Sequence, residues 1–158
     1  MGYVIDASVA FKLIVTEPDS PQAHRLAVRA SILVAPDLLL IEMANALWRY
    51  ARKPDLEKEE IRAARQLPLH NERVDNAKNA LAELISGHQI DFVEADKLAL
   101  KALALALELG HPIYDCTYLA LALAEKLPFV TADTRFLRVA QQSAYADHVI
   151  DLNAASDT

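Results

Sequence analysis

Four acidic residues interrupt apolar stretches of the chain, and carboxylates in such places are candidates for chemistry. Asp6 follows the apolar run YVI, Glu42 lies within LLLIEMANALW, Asp115 opens DCTYLALALA, and Asp133 follows FVTA. A buried, ionised carboxylate is destabilising unless hydrogen bonds, an opposite charge or a metal ion offset its desolvation. Each of these acids therefore has either a structural partner or a chemical role.

Taken singly, each acid also has a purely structural explanation. Asp6 could cap a helix, and Asp115 could open one because the helix dipole favours negative charge there. Glu42 could pair with a basic side chain, and Asp133 could be a turn residue. The occurrence of all four in apolar contexts of one chain nevertheless favours a functional interpretation.

The elements that would position these acids alternate between strand and helix. Short apolar runs predict strands at 3–6, 31–35, 90–93, 129–131 and 149–152, and helical patterns lie between them. This alternation predicts an α/β fold with a central parallel sheet covered by helices on both faces. Loops at the carboxyl ends of parallel strands meet at the topological switch point, so we expect Asp6 and Asp133 to lie near each other.

Four carboxylates sharing a small volume require a cation, since like charges repel and raise one another's pKa. The chain has one cysteine, Cys116, and five scattered histidines, so oxygen ligands predominate. Such ligands suit Mg²⁺ or Mn²⁺ and not zinc. A divalent ion held by carboxylates and a substrate phosphate can activate water. The predicted chemistry is metal-dependent hydrolysis of a phosphodiester.

Composition excludes several other classes. The formal net charge of −6 argues against a broad electrostatic grip on nucleic acid, and three glycines cannot form a glycine-rich phosphate loop. No apolar run reaches membrane-spanning length, and no signal peptide is recognisable. A single cysteine fits a reducing cytoplasm, and we interpret Cys116 as a core residue.

The predicted organisation is one domain over residues 1–153, followed by a frayed tail at 154–158. Residues 53–76 are the most polar part of the chain, and we interpret them as an exposed helical arm or an insertion within the domain. The leucine- and alanine-rich segment 95–109 predicts a helix that is largely buried.

The local sequences around the acids carry further information. In order, VIDASVAF, LLLIEMANALWR, PIYDCTYLALALAEKL and FVTADTRFL resemble the motifs of PIN-domain proteins of the VapC toxin type. The resemblance extends from Tyr3 to about Leu137. It implies a metal-dependent endoribonuclease that acts as the toxin of a toxin–antitoxin pair.

The resemblance also implies roles for individual residues. Asp6 and Asp115 would be the principal ligands of Mg²⁺ or Mn²⁺, and Glu42 and Asp133 would complete the acidic pocket directly or through water. The remaining matches are supporting positions, where two hydroxyls would support the pocket and an asparagine would orient Glu42: Ser8, Thr131 and Asn45.

The implied partners are an RNA substrate, a cognate VapB-type antitoxin and a second copy of the chain. The negative charge of the chain suits a basic antitoxin segment. Binding of RNA would then depend on local basic residues. The candidates, at the end of the Glu42 helix, are Arg49, Arg52 and Lys53. Segment 53–76 is longer than the connection usual in compact members and could alter antitoxin binding or dimer contacts.

Two other functions remain open at this stage. A haloacid-dehalogenase-like phosphatase also uses an aspartate after its first strand, but it needs a second aspartate two residues on, where this chain has Ser8. A PIN-type module that binds RNA or a partner without cutting would not need four intact acids. Metal binding coupled to cleavage separates the enzyme from the module.

Overall fold

The computed structural model describes residues 1–52, 69–87 and 89–157. Five strands form one sheet: β1 (Gly2–Ile5), β2 (Ile32–Pro36), β3 (Asp91–Val93), β4 (Phe129–Thr131) and β5 (Val149–Asp151). The α-helices within these residues are α1 (Ala7–Ile14), α2 (Ser20–Arg29), α3 (Leu38–Ala51), α4 (Leu69–Ser86), α5 (Ala99–Leu109), α6 (Ile113–Glu125), α7 (Thr134–Gln141) and α8 (Leu152–Asp157). Short 3-10 helices cover Ala95–Leu98 and Ala146–His148.

The strands are all parallel and lie in the order β3-β2-β1-β4-β5. Central β1 pairs on both sides, so that Val4 is in register with Val34 of β2 and with Phe129 of β4. The chain proceeds outward from β1 in one direction through β3 and then resumes on the other side at β4. The switch point therefore lies between the carboxyl ends of β1 and β4.

Helices cover both faces of this sheet, as predicted. On one face α6 packs against β1, β2, β4 and α5, while α1 packs against α2 and α3. Right-handed crossovers place these two groups on opposite faces. Within α6 every residue from Cys116 to Ala122 is buried, and burial raises the pKa of the Cys116 thiol to about 11. Cys116 is therefore a core residue and not a reactive thiol.

The helix predicted over 95–109 is less buried than expected. Its first turn is 3-10, and the buried positions are Leu98, Ala102 and Leu105. Leu100 and Leu107 are 86% and 78% exposed. Leucine and alanine occur on all sides of this helix, so its sequence does not indicate that only one stripe faces the core.

The expectation that the tail frays is wrong. Instead, α8 forms there and packs on the domain. Leu152 and Ala155 are buried, and the Arg29 guanidinium of α2 donates to the carbonyl oxygen of Ser156 at 2.9 Å. Of the polar segment 53–76, residues 69–76 belong to α4, and residues 53–68 lie outside the described part of the chain. Among the described helices, none combines the length and apolar character needed to cross a bilayer.

Candidate active site

Asp6 lies at the carboxyl end of β1 and is the N-cap of α1. Its Oδ1 accepts hydrogen bonds from the backbone N–H of Val9 at 3.1 Å and from the Ser8 hydroxyl at 2.6 Å. The residue is only 4% exposed. The capping role considered for Asp6 is real, but capping does not require such burial, since most N-cap side chains can remain in contact with water.

A hydroxyl network joins Asp6 to the end of β4 across the switch point. The buried Thr131 hydroxyl donates to Asp6 Oδ2, and Thr131 Oγ1 accepts from the backbone N–H of Asp133 at 2.9 Å. Ser8 Oγ in turn accepts from the backbone N–H of Ala132 at 2.9 Å. Ser8 and Thr131 thus hold Asp6 beside the turn that carries Asp133.

Asp115 lies in the first turn of α6, and its carboxylate contacts a histidine four residues earlier. His111 Nε2 is 2.7 Å from Asp115 Oδ2, with the two side chains 10% and 24% exposed. Because an ionised carboxylate only accepts, Nε2 carries the hydrogen in this contact. His111 therefore fixes one oxygen of Asp115 and leaves the other available to a ligand.

Glu42 lies in the second turn of α3, close to the carboxyl end of β2. Its Oε2 accepts a hydrogen bond from the hydroxyl of Tyr118, a residue of α6 that is 1% exposed. Burial, followed by the negative charge of Glu42, raises the pKa of Tyr118, so its hydroxyl stays protonated and remains a donor. This bond connects α6, which carries Asp115, to α3, which carries Glu42.

Asp133 follows β4 and is the N-cap of α7. Its Oδ1 accepts from the backbone N–H groups of Arg135 and Phe136 at 2.7 and 3.3 Å. The exposed Arg135 guanidinium acts on the same pocket, because its charge lowers the pKa of Asp115 while the charge of Asp133 raises it. The charges of Asp133 and Arg135 therefore both reach Asp115, with opposite effects.

The carboxylates destabilise one another's charged forms. Burial raises the pKa of Asp6 to about 6, and the charge of Asp115 adds to the effect. Burial also raises the pKa of Glu42, with further contributions from Asp6 and Asp115. Burial raises the pKa of Asp115 in the same way. Among the described residues, no lysine or arginine forms a salt bridge with Asp6 or Glu42.

This donor set suits a hard divalent cation. It offers carboxylate oxygens, a buried excess of negative charge and helix N-termini at Asp6, Asp115 and Asp133 that hold the ligands in place. Within the described part of the chain, however, no three acidic, histidine or cysteine side chains converge closely enough to enclose a metal ion. The ligand chemistry fits Mg²⁺ or Mn²⁺, although the carboxylates of the described residues do not converge on one point.

Comparison with known proteins agrees with the geometry. The family model of the PIN domain matches residues 3–142, which is most of the chain and includes all four acids. The chain belongs to the PIN-domain family. It is also 37% identical over 123 residues to Ribonuclease VapC3 of Pyrobaculum aerophilum, an alignment that covers 77% of this chain and 82% of that protein. It is therefore a PIN-domain protein of the VapC type, as its motifs predicted.

Solved structures share the fold of this PIN domain. PAE2754 from Pyrobaculum aerophilum superposes with a TM-score of 0.59 at 22% identity, covering 99% of this chain and 93% of that one. VapC20 of Mycobacterium tuberculosis, a sarcin-ricin loop cleaving toxin, gives 0.56 at 17% identity, covering 82% and 87%. At such identities the likeness concerns the fold alone.

The weaker site candidates that the structure describes follow Glu42 along α3 to the C-cap of the helix. Asn45 is exposed, and no hydrogen bond joins it to Glu42, whose described partner is Tyr118. Arg49 and Arg52 are exposed toward the far end of α3, with Arg52 about 15 Å along the helix from Glu42. The Arg52 guanidinium lies 5.0 Å from the centre of the Trp48 ring. Lys53 lies outside the described residues.

Three residues that contact or influence the acids of this PIN domain were not predicted from the sequence. His111 stands four residues before Asp115, a spacing that could have suggested a contact at a helix start. Arg135, two residues after Asp133, could have been noted as a cation near the pocket. Tyr118 gave no such signal, because an aromatic residue in a leucine-rich helix is expected to be a core residue and its partner Glu42 is remote in sequence.

Proposed function

We propose that this PIN domain is the endoribonuclease toxin of a toxin–antitoxin pair and hydrolyses RNA phosphodiester bonds with Mg²⁺ or Mn²⁺. The observation that carries the proposal is the environment of Asp6, which is a buried carboxylate at the switch point with a raised pKa and two acidic neighbours, Glu42 and Asp115. A buried carboxylate whose pKa is raised and which has acidic neighbours is typical of a functional site. The 37% identity to Ribonuclease VapC3 supports the same reaction class.

In this proposal Asp6 and Asp115 are the principal metal ligands, and Glu42 and Asp133 complete the pocket directly or through water. Oδ1 of Asp6 already accepts two hydrogen bonds and Oδ2 accepts one, so a metal would use the remaining lone pair of Oδ2. A bound Mg²⁺ or Mn²⁺ would lower the pKa of a water molecule for attack on phosphorus and stabilise the departing oxygen. Ser8 and Thr131 keep the Asp6 carboxylate in one orientation.

The RNA backbone needs cationic contacts that the chain as a whole, with net charge −6, does not provide. Arg135 is the best placed candidate, because it is exposed and its charge reaches Asp115. We assign it to the phosphate adjoining the scissile bond. Arg49 and Arg52 would contact RNA only further along the RNA strand, and Lys53 follows Arg52 in sequence.

The proposed partners are a basic VapB-type antitoxin, drawn to the acidic pocket, and a second copy of the chain. The exposed leucines of α5 support self-association, since Leu100, Leu103 and Leu107 form one apolar stripe on the helix surface. A reducing cytoplasm remains our proposed location, on the basis of the single, buried cysteine.

A non-catalytic RNA-binding module is the second candidate. The phosphatase alternative is disfavoured, because Ser8 occupies the position where that chemistry needs an acid and its hydroxyl donates to Asp6. A binding module, in contrast, has no need of a buried carboxylate that destabilises the fold. Its prediction is RNA binding that is indifferent to divalent metal.

The deciding experiment is cleavage of a structured RNA pool by purified protein with Mg²⁺, with Mn²⁺ and with EDTA. Asp6→Asn is the test variant, and Asp91→Asn, which changes an exposed carboxylate on β3, is the matched control. We expect metal-dependent cleavage by wild type and by Asp91→Asn, and none by Asp6→Asn. Cleavage in EDTA, or by Asp6→Asn at the wild-type rate, would contradict the metal mechanism.

A further inference from the structure

Two acids of the proposed site are each held by the polar end of an aromatic ring. His111 Nε2 contacts Asp115 Oδ2 at 2.7 Å, and the Tyr118 hydroxyl donates to Glu42 Oε2. Neither ring is free to turn, since the His111 side chain is 10% exposed and Tyr118 is 1% exposed. The contacts therefore come from donors whose positions are set by packing.

Two phenylalanines connect these rings into one continuous row. The ring centroids are 5.1 Å apart for His111 and Phe136, 5.6 Å for Phe136 and Phe129, and 5.7 Å for Phe129 and Tyr118. Both phenylalanines are completely buried. We call His111, Phe136, Phe129 and Tyr118 the aromatic row. Separations in this range are those of favourable aromatic contacts.

The aromatic row links the elements that carry Asp115, Asp133 and Glu42. His111 precedes α6, Phe136 is on α7, Phe129 is on β4 and Tyr118 is on α6. Glu42 belongs to α3, so the Tyr118 hydroxyl joins this fourth element to the row. A glutamate side chain has several rotamers, and without a fixed donor it would have to be ordered when a ligand binds.

We propose that His111 and Tyr118 are positioning residues and that the aromatic row sets the relative placement of the Asp115 and Glu42 carboxylates. The inference deepens the proposed function and rests on these acids being metal ligands. Partners that orient ligands in this way commonly affect metal affinity or activity by about 10–100-fold. The competing explanation is that the two hydrogen bonds merely satisfy buried polar groups.

Tyr118→Phe tests the row with the loss of one hydroxyl. Tyr145→Phe is the matched control, because the Tyr145 hydroxyl also donates to a glutamate, Glu108, at 3.0 Å but in an exposed place away from the site. Mn²⁺ binding is measured by calorimetry, and circular dichroism verifies folding. We expect the Mn²⁺ dissociation constant to rise about tenfold or more in Tyr118→Phe and to be unchanged in the control.

The row itself is tested by Phe136→Leu, which removes a ring of the row and retains the backbone N–H that donates to Asp133. Its control is Phe92→Leu on edge strand β3. If the row positions the carboxylates, Phe136→Leu should weaken Mn²⁺ binding and Phe92→Leu should not. His111→Gln, which retains an amide donor near the place of Nε2, should keep more affinity than His111→Ala.

The results separate the inference from the proposed function. If wild type binds Mn²⁺ and both Tyr118→Phe and Phe136→Leu bind it equally well, the positioning role is refuted. If wild type itself binds no Mn²⁺, the proposed function fails. Metal-free crystal structures of wild type and Tyr118→Phe then test the positioning role. A Glu42 carboxylate displaced by about 1 Å or more in Tyr118→Phe supports positioning, and an unmoved carboxylate overturns it.

Discussion

Replacing Asp6 by asparagine is expected to abolish RNA cleavage and, in the absence of metal, to stabilise the fold. Burial raises the pKa of Asp6 from its ordinary 3.8 to about 6. Between these values the folded state binds more protons than the unfolded chain, so the free energy of unfolding falls as pH rises. At pH 7 the ionised carboxylate therefore destabilises the folded state by about 3 kcal/mol.

Asparagine removes this penalty but loses one acceptor. The amide oxygen can replace Oδ1, which accepts from Ser8 and Val9, and the amide nitrogen then faces the Thr131 hydroxyl. The lost hydrogen bond offsets about 1 kcal/mol. A net gain of about 2 kcal/mol remains at pH 7, which corresponds to about 4–8 °C in Tm for a chain of this size. As the pH falls to near the ordinary pKa of the carboxyl group, 3.8, the gain should vanish.

Urea and thermal unfolding in EDTA, at about pH 4 and at pH 7, measure this difference for wild type, Asp6→Asn and the exposed control Asp91→Asn. We expect a gain in the free energy of unfolding only at the higher pH and only for Asp6→Asn. If Asp6→Asn is less stable than wild type at pH 7 by the same amount as at low pH, the buried carboxylate is not strained. The burial of Asp6 would then give no energetic reason to expect a bound cation.

Three further predictions concern metal, substrate and assembly. Mn²⁺ affinity, measured by calorimetry, should increase as pH rises through about 6, because the cation competes with the proton on Asp6, and a flat profile would contradict this. Arg135→Ala should raise KM for RNA with little change in Mn²⁺ affinity, whereas an unchanged KM would remove Arg135 from the RNA contact. Leu107→Glu should shift the mass measured by light scattering from dimer toward monomer, while Lys101→Glu on the same helix should not.

The parallel sheet and the place of the acids could be predicted because they depend on local patterns. Asp6 and Asp133 each follow a short apolar strand, and parallel strands bring such positions to one edge whatever the loops do. The helix signals were equally local. Asp6 and Asp133 are both N-caps, and Gly110 ends α5 in the left-handed conformation, with φ 59°.

What could not be predicted depends on contacts between distant elements. Leu152 and Ala155 are buried because α8 packs on α2. The sequence of the last residues does not predict this packing. On α5, the stripe that faces the core is chosen by α6 and not by composition. The bond from Tyr118 to Glu42 spans 76 residues, and only the assembled fold shows that this core-like tyrosine has a polar partner.

Each of the four acids has a structural explanation when it is taken singly, but for Asp6 the energetics favour a functional role. Its three donors, Ser8, Thr131 and the Val9 N–H, all lower its pKa, yet burial outweighs them and the net shift is upward. A carboxylate kept only as a cap would be more stable half-exposed, where water completes its solvation. The remaining instability at neutral pH is what a divalent cation would offset, and the same cation would relieve the repulsion from Glu42 and Asp115. The burial of Asp6 is thus consistent with the metal-dependent mechanism that we propose.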